Sequence, residues 1–235
     1  MLAAAAVCPH PPLLVPEAMG AAGPHRDGDL GALLAACDAA TLGLAAAEPD
    51  VIVVVGGAAT TAVYEGSAAG SLREFGVGYA VGTGEPVLPL SLTVGSWLLR
   101  RAGLDGGRAR FQAVARDTAV ADCLLMGAEL AMQAPRVAML AMGDGPARRA
   151  VGIEGAPDPE VERYDAEVAA ALAGADPVRL AGLAPALDDE LVVAGRAAWQ
   201  VLAGAAEGRR LAGQLRCAVA RYEVSYLVAS WDVIG

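Results

Sequence analysis

The sequence predicts an α/β domain, a single layered unit with a largely parallel or mixed central sheet flanked by helices. Three observations carry that expectation. Val51-Ile52-Val53-Val54-Val55 is a continuous β-branched run, and Arg136 to Met142 is a second apolar run. Such runs mark strands buried on both faces, as in a parallel sheet covered by helices. Stretches of helical composition separate them, the alternation that builds α/β layers. No Gly/Ser-rich linker, charge run or internal repeat divides the chain, so residues 1–235 read as one domain.

The elements follow in order. Residues 2–8 read as a short buried strand, ended by Pro9, Pro11 and Pro12. A Pro-rich loop runs to Gly28. Residues 29–47 read as a helix with Asp29 as candidate N-cap and an Ala/Leu face. Glu48-Pro49-Asp50 breaks it, and the strand 51–55 is expected to stop at Gly56-Gly57. Residues 76–82 and 110–115 have strand composition; 91–103 and 119–133 have helical composition. The run 136–142 ends at Gly143-Asp144-Gly145. Asp158-Pro159-Glu160 supplies a cap, a proline in the first turn and an acidic start, so 158–173 is a strong helix. Residues 187–206 form another. The stretch Arg216 to Val233 holds two strands around Tyr222-Glu223.

Composition narrows the function. Of the 235 residues 55% are apolar and 19% charged, which excludes disorder as the main state. With 27 acidic and 17 basic residues the net charge is −10, and no basic stripe argues for a nucleic-acid or anionic-membrane partner. Every basic residue is Arg; Lys and Asn are absent. Cys8, Cys37, Cys123 and Cys217 are widely spaced and form no C-x-x-C pair, so neither a disulfide framework nor a structural zinc site is expected. A reduced, cytoplasmic setting fits. The apolar N-terminus lacks a basic flank and reads as a strand rather than a signal peptide. No apolar run approaches the roughly 20 residues that span a bilayer.

In open α/β sheets ligands bind beyond the carboxyl ends of the strands. Three such ends stand out: Cys8 to Pro12, Gly56 to Thr61, and Gly143 to Arg149. His10, rigid among prolines, is placed either as a metal ligand or as a histidine bonded to backbone. His25 sits in a Gly/Pro/Asp loop, where solvation is the plainer reading. Gly57 and Thr60 suit an anion nest, or a plain strand-to-loop turn. Asp144 is a ligand, an acid/base group, or a turn aspartate capping N–H groups. Arg148 and Arg149 suit bidentate carboxylate binding, or form a solvated pair. Glu223 is a ligand or an edge-strand charge.

Residues 6–17, Ala-Val-Cys-Pro-His-Pro-Pro-Leu-Leu-Val-Pro-Glu, resemble the opening of the catalytic B subunit of class III extradiol ring-cleavage dioxygenases. The likeness is closest to an actinobacterial-looking branch of that superfamily, which also includes Memo-like proteins. Gly143-Asp144-Gly145, the helix Tyr164 to Leu172, the segment Val193 to Gln200 and the ending Val224 to Trp231 fit the same branch. The resemblance implies the fold, Fe(II) held by two histidines and a glutamate, a histidine acid/base, and opening of catecholic rings with dioxygen. His10 matches the first ligand. The loop Gly56-Gly57-Ala58-Ala59 has no histidine where the second should stand, and Ala147 occupies the place of the acid/base histidine. No motif places the glutamate ligand; Glu223 and Asp144 stand as substitute ligands.

The resemblance therefore implies a diverged or inactive oxidoreductase, with iron as its cofactor or none. The alternative is a metal-free protein that binds a small anion or metabolite at the same strand ends through Gly57, Thr60, Asp144 and Arg148. A third expectation is an assembly module forming a homo-oligomer through an Ala/Leu face or the C-terminal strand edge.

Overall fold

Four parallel strands carry the candidate site. A computed structural model describes residues 1–18, 28–104, 107–147, 158–185 and 191–234. β1 (Leu2–Cys8) runs parallel to β8 (Val137–Met142), with Cys8 opposite Met142. β2 (Val51–Ala58) lies parallel to β8 on one side and to β7 (Ala109–Ala115) on the other. With β3 (Ala62–Tyr64), β9 (Leu211–Arg221) and β10 (Val224–Val233), the seven-stranded order is β3-β7-β2-β8-β1-β10-β9. β3 pairs antiparallel to β7 at one edge. The antiparallel hairpin of β9 and β10 closes the other, through β1. A separate three-stranded sheet holds β4 (Ala69–Ser71), β5 (Ala80–Val81) and β6 (Pro86–Leu88).

Both faces of the main sheet are covered. α1 (Asp29–Ala46) and α2 (Leu90–Arg101) bury one core with Ala4, Ala6, Cys8, Ile52, Val54 and Leu140. α3 (Val120–Ala131), α4 (Pro159–Ala173), α5 (Pro177–Ala181) and α6 (Arg196–Ala205) bury the other with Val7, Val53, Val55, Met139 and Ala141. Successive strand residues alternate between the two cores, as the pleat requires. That double burial explains the continuous apolar runs of β2 and β8.

Several boundaries differ from the sequence expectation. Asp29 is the first helical residue of α1, and Gly28, at φ 92°, is its N-cap. β2 does not stop at Gly56-Gly57 but runs to Ala58, because both glycines stay in the ladder opposite Ala113 and Val114. Of the helix expected over 187–206, Arg196–Ala205 is a continuous helix, and residues 186–190 lie outside the described residues. Val192, at φ 54°, turns the chain just before this helix. Asp158 does cap α4, accepting from the Glu160 N–H at 2.8 Å. The expected turn at Tyr222-Glu223 is a two-residue hairpin, both residues at positive φ as such turns demand.

α1 is long and apolar enough, by length and composition, to cross a membrane, contrary to the sequence expectation. Here it lies against the sheet, with Leu33, Cys37, Ala40, Thr41 and Leu44 buried.

Candidate functional site

The parallel strands end together. Cys8, Met142 and Gly56 stand on one rung of the ladder, so the segments that follow them share one edge of the sheet. A cleft of about 240 Å³ opens there. His10 lines it from the end of β1, Gly57 to Ala59 from β2, and Arg116 from β7. The N-terminal turns of α2 and α6 supply Leu90, Ser91, Arg196 and Ala197. This is the edge where open α/β sheets take ligands.

His10 is 7% exposed. Its backbone N–H donates to Asp144 Oδ1 at 2.8 Å. Its Nδ1 lies 3.7 Å from the same oxygen and has no hydrogen-bond partner. The sheet thus brings His10 and Asp144 together, and Asp144 caps a distant N–H rather than its own turn. Cys8 does not join them. Its side chain faces α1, where it hydrogen-bonds Cys37; that bond first, then burial, pushes the Cys37 thiol well up. Alternation fails to carry both residues to one side because β1 ends at Cys8.

Glycines let the walls close. A Cβ on Gly56 would stand 2.5 Å from Ser91 Oγ, and one on Gly57 would stand 2.9 Å from the Ala194 carbonyl oxygen. Ser91 Oγ donates to the Gly57 carbonyl at 2.8 Å, tying α2 to the end of β2. Under the cleft, the Trp199 indole fits between Gly143 and Gly195, where any Cβ would strike its ring.

The basic side of the cleft was not foreseen. Arg196, 1% exposed, opens α6. Its guanidinium donates to the Thr118 carbonyl at 3.3 Å, to Gln200 Oε1 at 2.6 Å, and to the Arg116 carbonyl. Gln200 in turn donates to the carbonyls of Ala181 and Leu183. The Ala115 N–H donates to Thr61 Oγ1 at 3.0 Å. The backbone on both sides of Arg116 is therefore clasped, while its own side chain is exposed. Its guanidinium has no hydrogen-bond or ion-pair partner among the described residues. Neither α2 nor α6 has a side-chain N-cap among the described residues, and a helix start without one presents first-turn N–H groups to an incoming acceptor. The signal was Gly195 before Arg196 and Pro89 before Leu90, both marks of a helix start.

Other expected site residues fall elsewhere. Glu223 is exposed in the hairpin turn and does not line the cleft. Thr60 is exposed beyond the cleft wall; Ala58 and Ala59 stand in the place expected for it. His25, Arg148 and Arg149 lie outside the described residues. A facial iron site needs three donors. Among the described residues no three His, Cys, Asp or Glu side chains gather to hold a metal ion. Among the described residues, the carboxylate beside His10 is Asp144, already accepting a backbone N–H. This donor set does not fit the iron that the resemblance implies.

Tyr226 packs behind Asp144. Burial, and secondarily the Asp144 carboxylate, push its phenol up to about 12. An unfolded tyrosine loses its proton near pH 10. Between these values the unfolded chain has released a proton that the folded chain retains, so stability falls as pH rises. The loss reaches up to about 2 kcal/mol by pH 12. Tyr226→Phe removes that component. Unfolding free energies at pH 9 and 11.5 should therefore converge for the variant relative to the parent; equal alkaline losses in both would refute the assignment.

No protein-family model and no curated protein matches the chain. Among solved structures, the crystal structure of an uncharacterized protein from Escherichia coli K12 is similar, with a TM-score of 0.57 and 16% identity. The match covers 98% of this chain and 99% of that one. At this identity the likeness shows the fold alone.

Proposed function

We propose that the cleft binds a small anion without a metal ion. One observation carries this reading. Two helix N-termini without a side-chain cap, the Arg116 guanidinium, unpaired among the described residues, and the buried imidazole of His10 converge on one cavity. Each helix N-terminus favours an anion by roughly 0.3–1 kcal/mol, more when partly buried. A hydrogen bond to a charged group adds about 1.5–3 kcal/mol. Arg116 supplies such bonds from a backbone that Arg196 and Thr61 hold in place. Asp144 anchors the His10 main chain, which leaves the imidazole edge to the ligand. Ring cleavage would ask for donors that the described residues do not bring to His10. A cytoplasmic location accords with four cysteines that stay free.

Thermal unfolding in EDTA tests the reading with formate, acetate and inorganic phosphate. An anion at a hundred times its Kd should raise the melting temperature by about 5–10 °C. Arg116→Leu should melt within about 2 °C of the parent and lose most of the anion-dependent rise. No rise with any anion, or an equal rise in the variant, would contradict it.

A further inference from the structure

The cleft's shape and wall say what kind of anion it takes, granted the anion-binding reading above. Ala58, Ala59, Pro89, Leu90, Val193 and Ala197 make most of the wall aliphatic. Among the described residues no Phe, Tyr or Trp lines it, so a ring would find no face to stack on. The cavity is also small. Drug-sized ligands occupy roughly 300–1,000 Å³, against about 240 Å³ here. At about 30 Å³ per water-sized group, that is room for roughly eight such groups. The backbone approach of Gly57 to the Ala194 carbonyl keeps it narrow.

The charge count points the same way. Arg196 spends guanidinium N–H groups on two carbonyls and Gln200. Among the described residues, Arg116 is the cation in the wall with a whole fork to give. One planar fork matches a carboxylate bidentately. A phosphate held by the same fork would turn its remaining oxygens toward the aliphatic wall, where they lose water without gaining a partner.

We infer that the ligand is a short aliphatic carboxylate of about four to six carbons. Arg116 and the helix N-termini hold its head, and the alanine-rich wall takes its body.

Calorimetric titration of the whole chain in EDTA tests this with acetate, butyrate, hexanoate, decanoate, benzoate and inorganic phosphate. Affinity should rise about fourfold per methylene from acetate to butyrate, and decanoate should bind no more tightly than hexanoate. Benzoate and phosphate should each bind at least about tenfold more weakly than the best aliphatic acid. Arg116→Leu should weaken every acid by about tenfold or more while keeping the gain per methylene. A flat chain-length series, decanoate binding tightest, benzoate binding tighter than hexanoate, or phosphate equal to butyrate would each overturn the inference. Heat from none of the six, phosphate included, would instead remove the anion-binding reading on which it rests.

Discussion

Gly127→Val should lower the melting temperature by about 6–12 °C, from a loss of about 3 kcal/mol. α3 and α6 cross where Gly127 and Gly204 meet the facing backbone. A Cβ on Gly127 would be driven into the Val201 carbonyl and would stand 2.7 Å from the Ala205 nitrogen. A Cβ on Gly204 would be driven into the Leu124 carbonyl. These are main-chain atoms, so no rotamer change relieves the clash; a helix must move. The displaced helix would be α6, whose first turn forms the cleft. Gly43 in α1 has nothing within 4 Å of its Cβ position, so Gly43→Ala should cost nothing and gain up to about 1 kcal/mol. Thermal scans of both variants separate close packing from a general intolerance of helical substitution. Equal melting temperatures for Gly127→Val and the parent would show that the crossing is looser than described.

Arg196→Met should cost about 3 kcal/mol and should also weaken the anion response. The methionine keeps much of the volume but leaves the Arg116 and Thr118 carbonyls and Gln200 Oε1 without their donor. Buried acceptors left unpaired cost about 1–3 kcal/mol each, and partial rehydration at the cleft keeps the sum near the lower figure. The loop carrying Arg116 loses its clasp, so the melting-temperature rise induced by acetate should shrink as it does in Arg116→Leu. Urea unfolding measures the first effect and the acetate-dependent shift the second. In Arg116→Leu, adding Arg196→Met should cost stability yet remove no further anion response. A cost under about 1 kcal/mol would show that the guanidinium does not organise the loop.

Much of the fold was legible because burial on both sheet faces writes itself as unbroken apolar runs. Val51 to Val55 and Val137 to Met142 announced the two central strands. Asp158-Pro159 announced the start of α4, and Tyr222-Glu223 the hairpin. Gly56 and Gly57 misled, because glycine usually marks a turn; here each makes room in a ladder for a close neighbour. The short strands β3, β4 and β6 carried no signal, being three residues each. At the site, His10, Gly57 and Asp144 could be found from strand ends alone. Arg116 and Arg196 could not, since their meaning depends on a contact between residues 80 apart in sequence. Glu223 looked like a ligand because it interrupts an apolar strand pattern, yet the interruption is the turn itself.

The central claim, that this cleft holds an anion without a metal, is tested most directly by one calorimetric comparison. Butyrate is titrated into the protein in EDTA, and again into protein loaded anaerobically with Fe(II) and freed of excess metal. The account predicts the same affinity in both, with no iron retained by mass spectrometry. Binding that occurs only in the iron-loaded sample, with about one iron per chain lost in His10→Ala, would contradict it.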